Sequence, residues 1–252
     1  MQDTDALLER MHKAIQNTIK EKKIGIAFSG GVDSALIAKI CSDLNYDVTL
    51  ITIGFAGSHD IMFAKKVNEA LKMPHHIMEI NPLEFSDVVK KIKLQISIEN
   101  LSWLENSIAF YHIAKLAHDI GLGVVVTANG IDELFCGYNG YRDAIKKGEQ
   151  EVMGLIDSKI TNEIAMMQAV NNVCSEFGVK IVQPLLLPEF IKYAKLIPIS
   201  EKITGYDDLY RKHIVRRLAL HVGVPEFSAN ARKKAMQYGS LIHKTLIKSK
   251  IL

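Results

Sequence analysis

Residues 24–34, IGIAFSGGVDS, constrain this chain more than any other stretch. An apolar, β-branched run over 24–28 meets Ser29-Gly30-Gly31. After Asp33-Ser34 comes ALIAKICSDL, whose apolar residues recur at helical spacing. The order is therefore strand, tight glycine turn, helix. Such a turn is an anion site, because glycine bends through φ > 0 and the first N–H groups of the helix point into the turn. Ser29 and Ser34 add hydroxyl donors. Asp33 sets a carboxylate where a phosphate would lie, which makes electrostatic sense only with a divalent cation between the two anions.

No lysine follows the second glycine, so the turn is neither the GxxxxGK[ST] loop nor the GxGxxG dinucleotide turn. SGGVDS resembles the SGGxDS signature of the PP-loop ATP pyrophosphatases. That resemblance implies ATP as ligand: the β,γ-pyrophosphate sits in the turn while a substrate oxygen attacks the α-phosphorus. Phe28, Ser29, Gly30, Gly31, Asp33 and Ser34 are the expected nucleotide contacts, with Asp33 also a Mg²⁺ ligand.

Along the chain the pattern alternates. An amphipathic helix over 3–20 precedes strand one at 24–28 and its helix at 34–44. A second strand over 47–53 leads through GFAGSHD into the next helix, and a short third strand lies at 75–80. Residues 82–120 read as helix in at least two pieces, broken around Glu99-Asn100, and GVVVTA at 123–128 is a fourth strand. Strands alternating with helices predict an α/β, Rossmann-like parallel sheet covered on both faces. From about residue 149 the pattern is almost wholly helical, apart from a short apolar run at VKIVQPLLLP. The expected organisation is an ATP-binding core over 1–148 and a helical subdomain over 149–252 packed on the ligand edge.

The 252 residues are 48% hydrophobic and 23% charged, enough to bury a sizeable core. A net charge of +3 with dispersed basic residues disfavours a nucleic-acid partner. Three cysteines, Cys41, Cys136 and Cys174, without CxxC spacing, point away from disulfides and structural zinc and toward a reducing cytoplasm. No signal-peptide pattern and no apolar run long enough to span a bilayer is present, so no membrane association is expected.

Ligands of open parallel sheets bind beyond the carboxyl ends of the strands. Three turns lie at such ends: SGGVDS, GFAGS and TANGIDE. If they converge, Ile53 and Gly54 flank an adenine, Thr127 and Ala128 complete the nucleotide site, and Asp132 and Glu133 face the metal and the reacting centre.

GIDELFCGY at 130–138 resembles the GxDELFGGY segment of asparagine synthetases, with GFAGSHDIMFAKKV as the matching second-strand segment. ARKKAMQYGS at 231–240 resembles the same family's KK-A-QYGSG segment, so the likeness runs in order through most of the chain. It implies an adenylating ligase. A carboxylate, aspartate above all, attacks Mg-ATP, pyrophosphate leaves, and ammonia displaces AMP from the acyl-adenylate. Asp33 and Asp132 would hold Mg²⁺. Lys234 would stabilise charge developing in the transition state with Glu133 as its ion-pair partner, and Asn129 and Tyr138 would face the substrate. β-Lactam and carbapenam synthetases share the scaffold with other acceptors.

Three departures stand out. Asn129 replaces an acidic residue that precedes GxDE in the family, Cys136 replaces the first glycine of LFGGY, and QPLLLP at 183–188 lacks the aspartate of PFLD. A glutaminase domain with a cysteine after the initiator methionine is also expected in the family, whereas Gln2 stands here. Ammonia would then come from solution or from a separate glutaminase subunit; a homodimer is a further expectation. Competing readings are a PP-loop tRNA-modifying enzyme, for which Cys136 would be the thiol, and a nucleotide-binding module needing a partner. Smaller assignments are structural roles for His75 and His76, a core role for Trp103 beside Leu101 and Leu104, and a lining or capping role for Tyr238.

Overall fold

The computed structural model describes residues 2–96, 100–232 and 234–249. The expected break at Glu99-Asn100 falls partly on residues 97–99, outside the described ones. Five parallel strands form the sheet: β1 Lys23–Ala27, β2 Asp47–Gly54, β3 His75–Glu79, β4 Val124–Val126 and β5 Lys180–Val182. Their spatial order is β3-β2-β1-β4-β5. The chain thus builds outward from β1 to β3, then crosses back to lay β4 on the other side of β1. Connections leaving β1 and β4 diverge, and the crevice between their carboxyl ends is where ligands bind in such sheets.

The helices are α1 Gln2–Thr18, α2 Val32–Asp43, α3 His59–Leu71, α4 Pro82–Lys93, α5 Leu101–Asp119, α6 Ile131–Leu134 and α7 Gly140–Ile145. They continue as α8 Glu149–Cys174, α9 Pro188–Leu196, α10 His213–His221, α11 Glu226–Ala229, α12 Met236–Gly239 and α13 Ile242–Lys248. Asn100 caps the start of α5 by accepting the Ser102 N–H at 3.0 Å, the local reason why α5 begins there.

Side chains alternate between two cores, as the pleat requires. Ile24, Ile26, Leu50, Val124, Val126 and Val182 join α1, α2 and α10 on one face. Ile51, Ile53, Val125 and Ile181 join α4, α5 and one side of α8 on the other. Both faces are covered over the inner strands, so β1, β2 and β4 read as near-continuous apolar runs, whereas the edge strand β3 is partly exposed.

After residue 148 the helices expected from the sequence are present, but this part is not set apart from the sheet. Val124 to Val126 pair in parallel with Lys180 to Val182, so the apolar run after α8 completes the sheet as β5. Three residues between a long helix and a proline carry too little periodicity to be read as a strand from sequence.

Candidate active site

The turn after β1 closes tightly. Gly30 has φ +77°, and a Cβ there would come within 3.1 Å of the Ala64 backbone on α3. Its carbonyl accepts the Ser228 hydroxyl at 2.6 Å. The remaining loop groups are held only loosely: Ser29 N–H to Ser34 Oγ at 3.3 Å and Gly31 N–H to Ser29 Oγ at 3.4 Å. Among the described residues, no side chain caps α2. An anion entering the turn would therefore meet backbone donors at the positive end of a twelve-residue helix without first displacing strong bonds.

The turn after β4 is stitched around Glu133. Its carboxylate accepts the Gly130 N–H at 3.0 Å and the Tyr138 hydroxyl in a short bond, while its carbonyl accepts the Tyr141 hydroxyl at 2.6 Å. Burial, then the nearby carboxylates of Glu163 and Asp132, push the Glu133 carboxyl up to about 8. Glu133 takes these hydrogen bonds in place of the ion pair with Lys234 implied by the resemblance; no such pair occurs among the described residues.

Between the two turns lies Lys212, whose fully buried ammonium donates to both Asp33 oxygens at 2.8 and 2.7 Å and to Asp132 Oδ1 at 2.9 Å. The two carboxylates expected to share a cation thus converge on one. Lys212 is held there by strained backbone: Arg211 and Lys212 both lie in the left-handed region, at φ +47° and +54°, a conformation that needs support for side chains of this size. Asp208 supplies it by accepting the Tyr210 and Arg211 N–H groups at 3.0 and 2.9 Å. Burial alone would raise the Asp208 carboxyl, but hydrogen bonds from Arg211, Thr204 and His213 outweigh it and hold it well below the usual range. The buried Arg216 guanidinium ties the same segment down through the carbonyls of Tyr210, Arg211, Ala229 and Ala231.

One cleft of about 250 Å³ gathers most of the expected residues. Phe28, Ser29, Asp33, Ser34, Ile53, Thr127 and Ala128, the residues expected to contact the nucleotide, line one end, and Asn129, Asp132, Glu133, Tyr138 and Lys234 line the rest. Gly30, Gly31 and Gly54 shape the turns without lining it. Lys234 is exposed at the rim, carried by a tail that reaches the sheet edge because Phe55 N–H donates to the Ser240 carbonyl at 3.0 Å. Lys233 lies outside the described residues.

Sequence reading did not single out Lys212, Asp60, Asn106, Lys159, Asn162 or Glu163 as site residues. Lys212 sits in a short basic cluster like any solvated one, and the other five are ordinary polar residues on helices. Trp103 lies at the edge of the core, where its indole donates to Asn162 at 3.1 Å. Leu104 is buried but Leu101 is 36% exposed. His75 bonds the Thr52 hydroxyl at 2.8 Å, and burial lowers it to about 4, so it stands neutral and structural. Tyr238 is exposed and packs against His243 rather than lining the cleft. Cys136 is fully buried, and burial pushes its thiol up to about 12, which removes the thiolate that sulfur chemistry needs.

Among the described residues no three metal-ligating side chains cluster. Asp33 and Asp132 beside the SGGVDS turn are oxygen donors of the kind Mg²⁺ takes, and in this structure both hold the Lys212 ammonium. No helix of the described residues is long and apolar enough to cross a membrane.

Comparison with known proteins agrees with this geometry. A family model described as asparagine synthase matches residues 6–169. A Methanocaldococcus jannaschii protein that carries a glutamine-hydrolyzing asparagine synthetase name by assignment is 29% identical over 268 residues, covering 92% of this chain and 49% of that protein. The glutamine-hydrolyzing asparagine synthetase of Brassica oleracea is 24% identical, covering 81% of this chain and 36% of that protein. The chain spans about half or less of the length of these curated relatives. Among solved structures, an NMN synthetase from Francisella tularensis matches with a TM-score of 0.50 at 16% identity, over 93% of this chain and 75% of that one. That likeness bears on the fold alone.

Proposed function

The chain belongs to the asparagine synthase family, and from that premise we propose that it is an ATP- and Mg²⁺-dependent carbon–nitrogen ligase. It activates a carboxylate, aspartate foremost, as an acyl-adenylate with loss of pyrophosphate, and then amidates it with ammonia. The observation that carries the reading is the convergence of Asp33, Lys212 and Asp132 beside the open SGGVDS turn, at the crevice where β1 and β4 part.

Each step has a physical requirement that residues of this chain meet. The amides and hydroxyls of Ser29 to Ser34 hold the β,γ-phosphates and align the α-phosphorus for attack. Asp33 and Asp132 would hold the metal, which when bound neutralises phosphate charge and eases departure of pyrophosphate. Lys212, already shared by the two carboxylates, supplies a buried positive charge beside the phosphates, and Lys234 at the rim adds a second toward the acyl end. Ammonia, free or delivered by a glutaminase, is the nitrogen donor. The deep burial of Cys136 weighs against the sulfur-transfer alternative.

The test is pyrophosphate and AMP formation from Mg-ATP, with and without aspartate plus ammonium, and in parallel with bulk tRNA. Aspartate-dependent release with asparagine as product is the expected result. Release only with tRNA, or with no carboxylate tried, would overturn it.

A further inference from the structure

Helix α8 brings two hydrogen-bond donors to the mouth of the cleft, Lys159 and Asn162, three residues apart on one helix face. Both are open to solvent, where an entering substrate can reach them. Asn162 has its orientation set from behind. Its Oδ1 accepts the Trp103 indole N–H at 3.1 Å. An indole can only donate, so the amide oxygen is committed to α5 and the NH₂ end of the same group is turned the other way. Among the described residues no acceptor takes that NH₂.

Lys159 is placed rather than paired. Its ammonium lies 5.4 Å from the centre of the Tyr138 ring, over the turn after β4, a contact that holds a cation without neutralising it. Acids of the same helix and of the facing turn have other partners: Asp157 pairs with Lys195 at 2.6 Å, Glu133 accepts from Gly130 and Tyr138, and Glu163 accepts the Asn129 amide at 2.5 Å. Among the described residues no carboxylate pairs with Lys159. One positive charge and a fixed NH₂ on a single face match the two oxygens of a carboxylate. At this end of the cleft it is a different carboxylate from the one activated beside the SGGVDS turn.

We propose that Lys159 and Asn162 bind a second, unreacting carboxylate of the acceptor, which makes the acceptor a dicarboxylate. The proposal rests on the ligase reading above and narrows its substrate class.

Pyrophosphate release from Mg-ATP is measured with acceptor pairs that differ by one carboxylate: aspartate and β-alanine, glutamate and 4-aminobutyrate, succinate and propionate. Lys159→Met keeps the stem over Tyr138 without the charge, and Lys159→Arg restores it. Asn162→Asp keeps the oxygen that Trp103 uses and replaces the NH₂ with an acceptor. Thermal midpoints against the parent check folding. The parent is expected to prefer the dicarboxylate of an active pair. That preference falls about tenfold or more in Lys159→Met and Asn162→Asp, the scale of one charged hydrogen bond. The fall comes through KM for the dicarboxylate, with KM for Mg-ATP unchanged, and Lys159→Arg keeps most of the preference. No preference in the parent, an unchanged preference in both charge-altering variants, or a loss shared equally by both members of a pair or carried by KM for Mg-ATP overturns the proposal while leaving the ligase reading intact. Absence of release with every carboxylate in the parent overturns both.

Discussion

At one end of the cleft, the nucleotide end of the proposed function, the lining groups come from short runs of consecutive residues in the turns after β1 and β4 together with Ile51 and Ile53 of β2, whereas at the other, its acyl end, they come from single faces of α5 and α8. The first kind of site is coded by backbone. It needs glycines, a helix start and a carboxylate in fixed succession, and it tolerates little change. The second kind is coded by side chains three and four residues apart, the spacing that also places core residues, so it can be rebuilt one position at a time. On this physical basis the turn-built end tolerates less substitution than the helix-built end, and under the proposed function the helix-built end is where acceptor choice would be set.

The comparison breaks most visibly at the two carboxylates. Asp33→Asn and Asp132→Asn each preserve shape but remove a charge that the phosphate end uses, and each is expected to lower Mg-dependent pyrophosphate release by about a thousandfold, several kcal/mol of transition-state stabilisation. Retained activity in both variants would move the metal elsewhere and dissolve the distinction between the two ends. Lys234→Ala comes next. An exposed lysine at the rim that acts on developing charge should lower kcat by about a hundredfold, or about 3 kcal/mol, and leave KM for ATP nearly unchanged. A large rise in that KM instead would make Lys234 a ground-state contact of the nucleotide end.

What was readable beforehand follows the same division. Ser29, Asp33, Asp132 and Glu133 are legible because their chemistry is written in consecutive letters between a strand and a helix. β1, β2 and β4 are legible because buried parallel strands are continuous apolar runs, and the partly exposed edge strand β3 is legible from its place in the alternation with helices. β5 is not, since Lys180–Val182 offers three residues between helical segments. Lys212 is not, because what makes it special is a left-handed backbone at φ +54° and a separation of 179 positions along the chain from Asp33. Glu163 is one acid on a 26-residue helix, and nothing local separates it from a solvated neighbour.

Glu133 joins the two ends, and its titration sharpens how strongly they are coupled. Burial first, with Glu163 and Asp132 adding to it, raises its carboxyl from 4.5 to about 8, so the folded state holds its proton where the unfolded chain has lost it. Stability from this group is then fully present below about pH 4.5 and is lost as pH rises through about 8. The thermal midpoint of the parent should fall over that window by more than that of Glu133→Gln, which cannot ionise. Equal slopes for the two proteins would mean that water reaches this carboxyl and that the ends are electrically separate.

The smallest effect is expected at Cys136, and it tests whether the nucleotide end holds a second chemistry. Cys136 has φ +61°, and at the next position a Cβ on Gly137 would fall 1.8 Å from an Asp132 oxygen. The turn therefore asks for two glycines in succession and receives one. Cys136→Gly relieves a left-handed side chain worth about 1–2 kcal/mol, but it surrenders a buried sulfur and adds freedom to the unfolded chain. These terms oppose each other, so the unfolding free energy should move by no more than about 1 kcal/mol and ligase turnover by less than about twofold, read by denaturant titration and by pyrophosphate release. Loss of turnover with the fold intact would instead make the thiol part of the chemistry, and the nucleotide end would no longer be a site written by backbone and carboxylates alone.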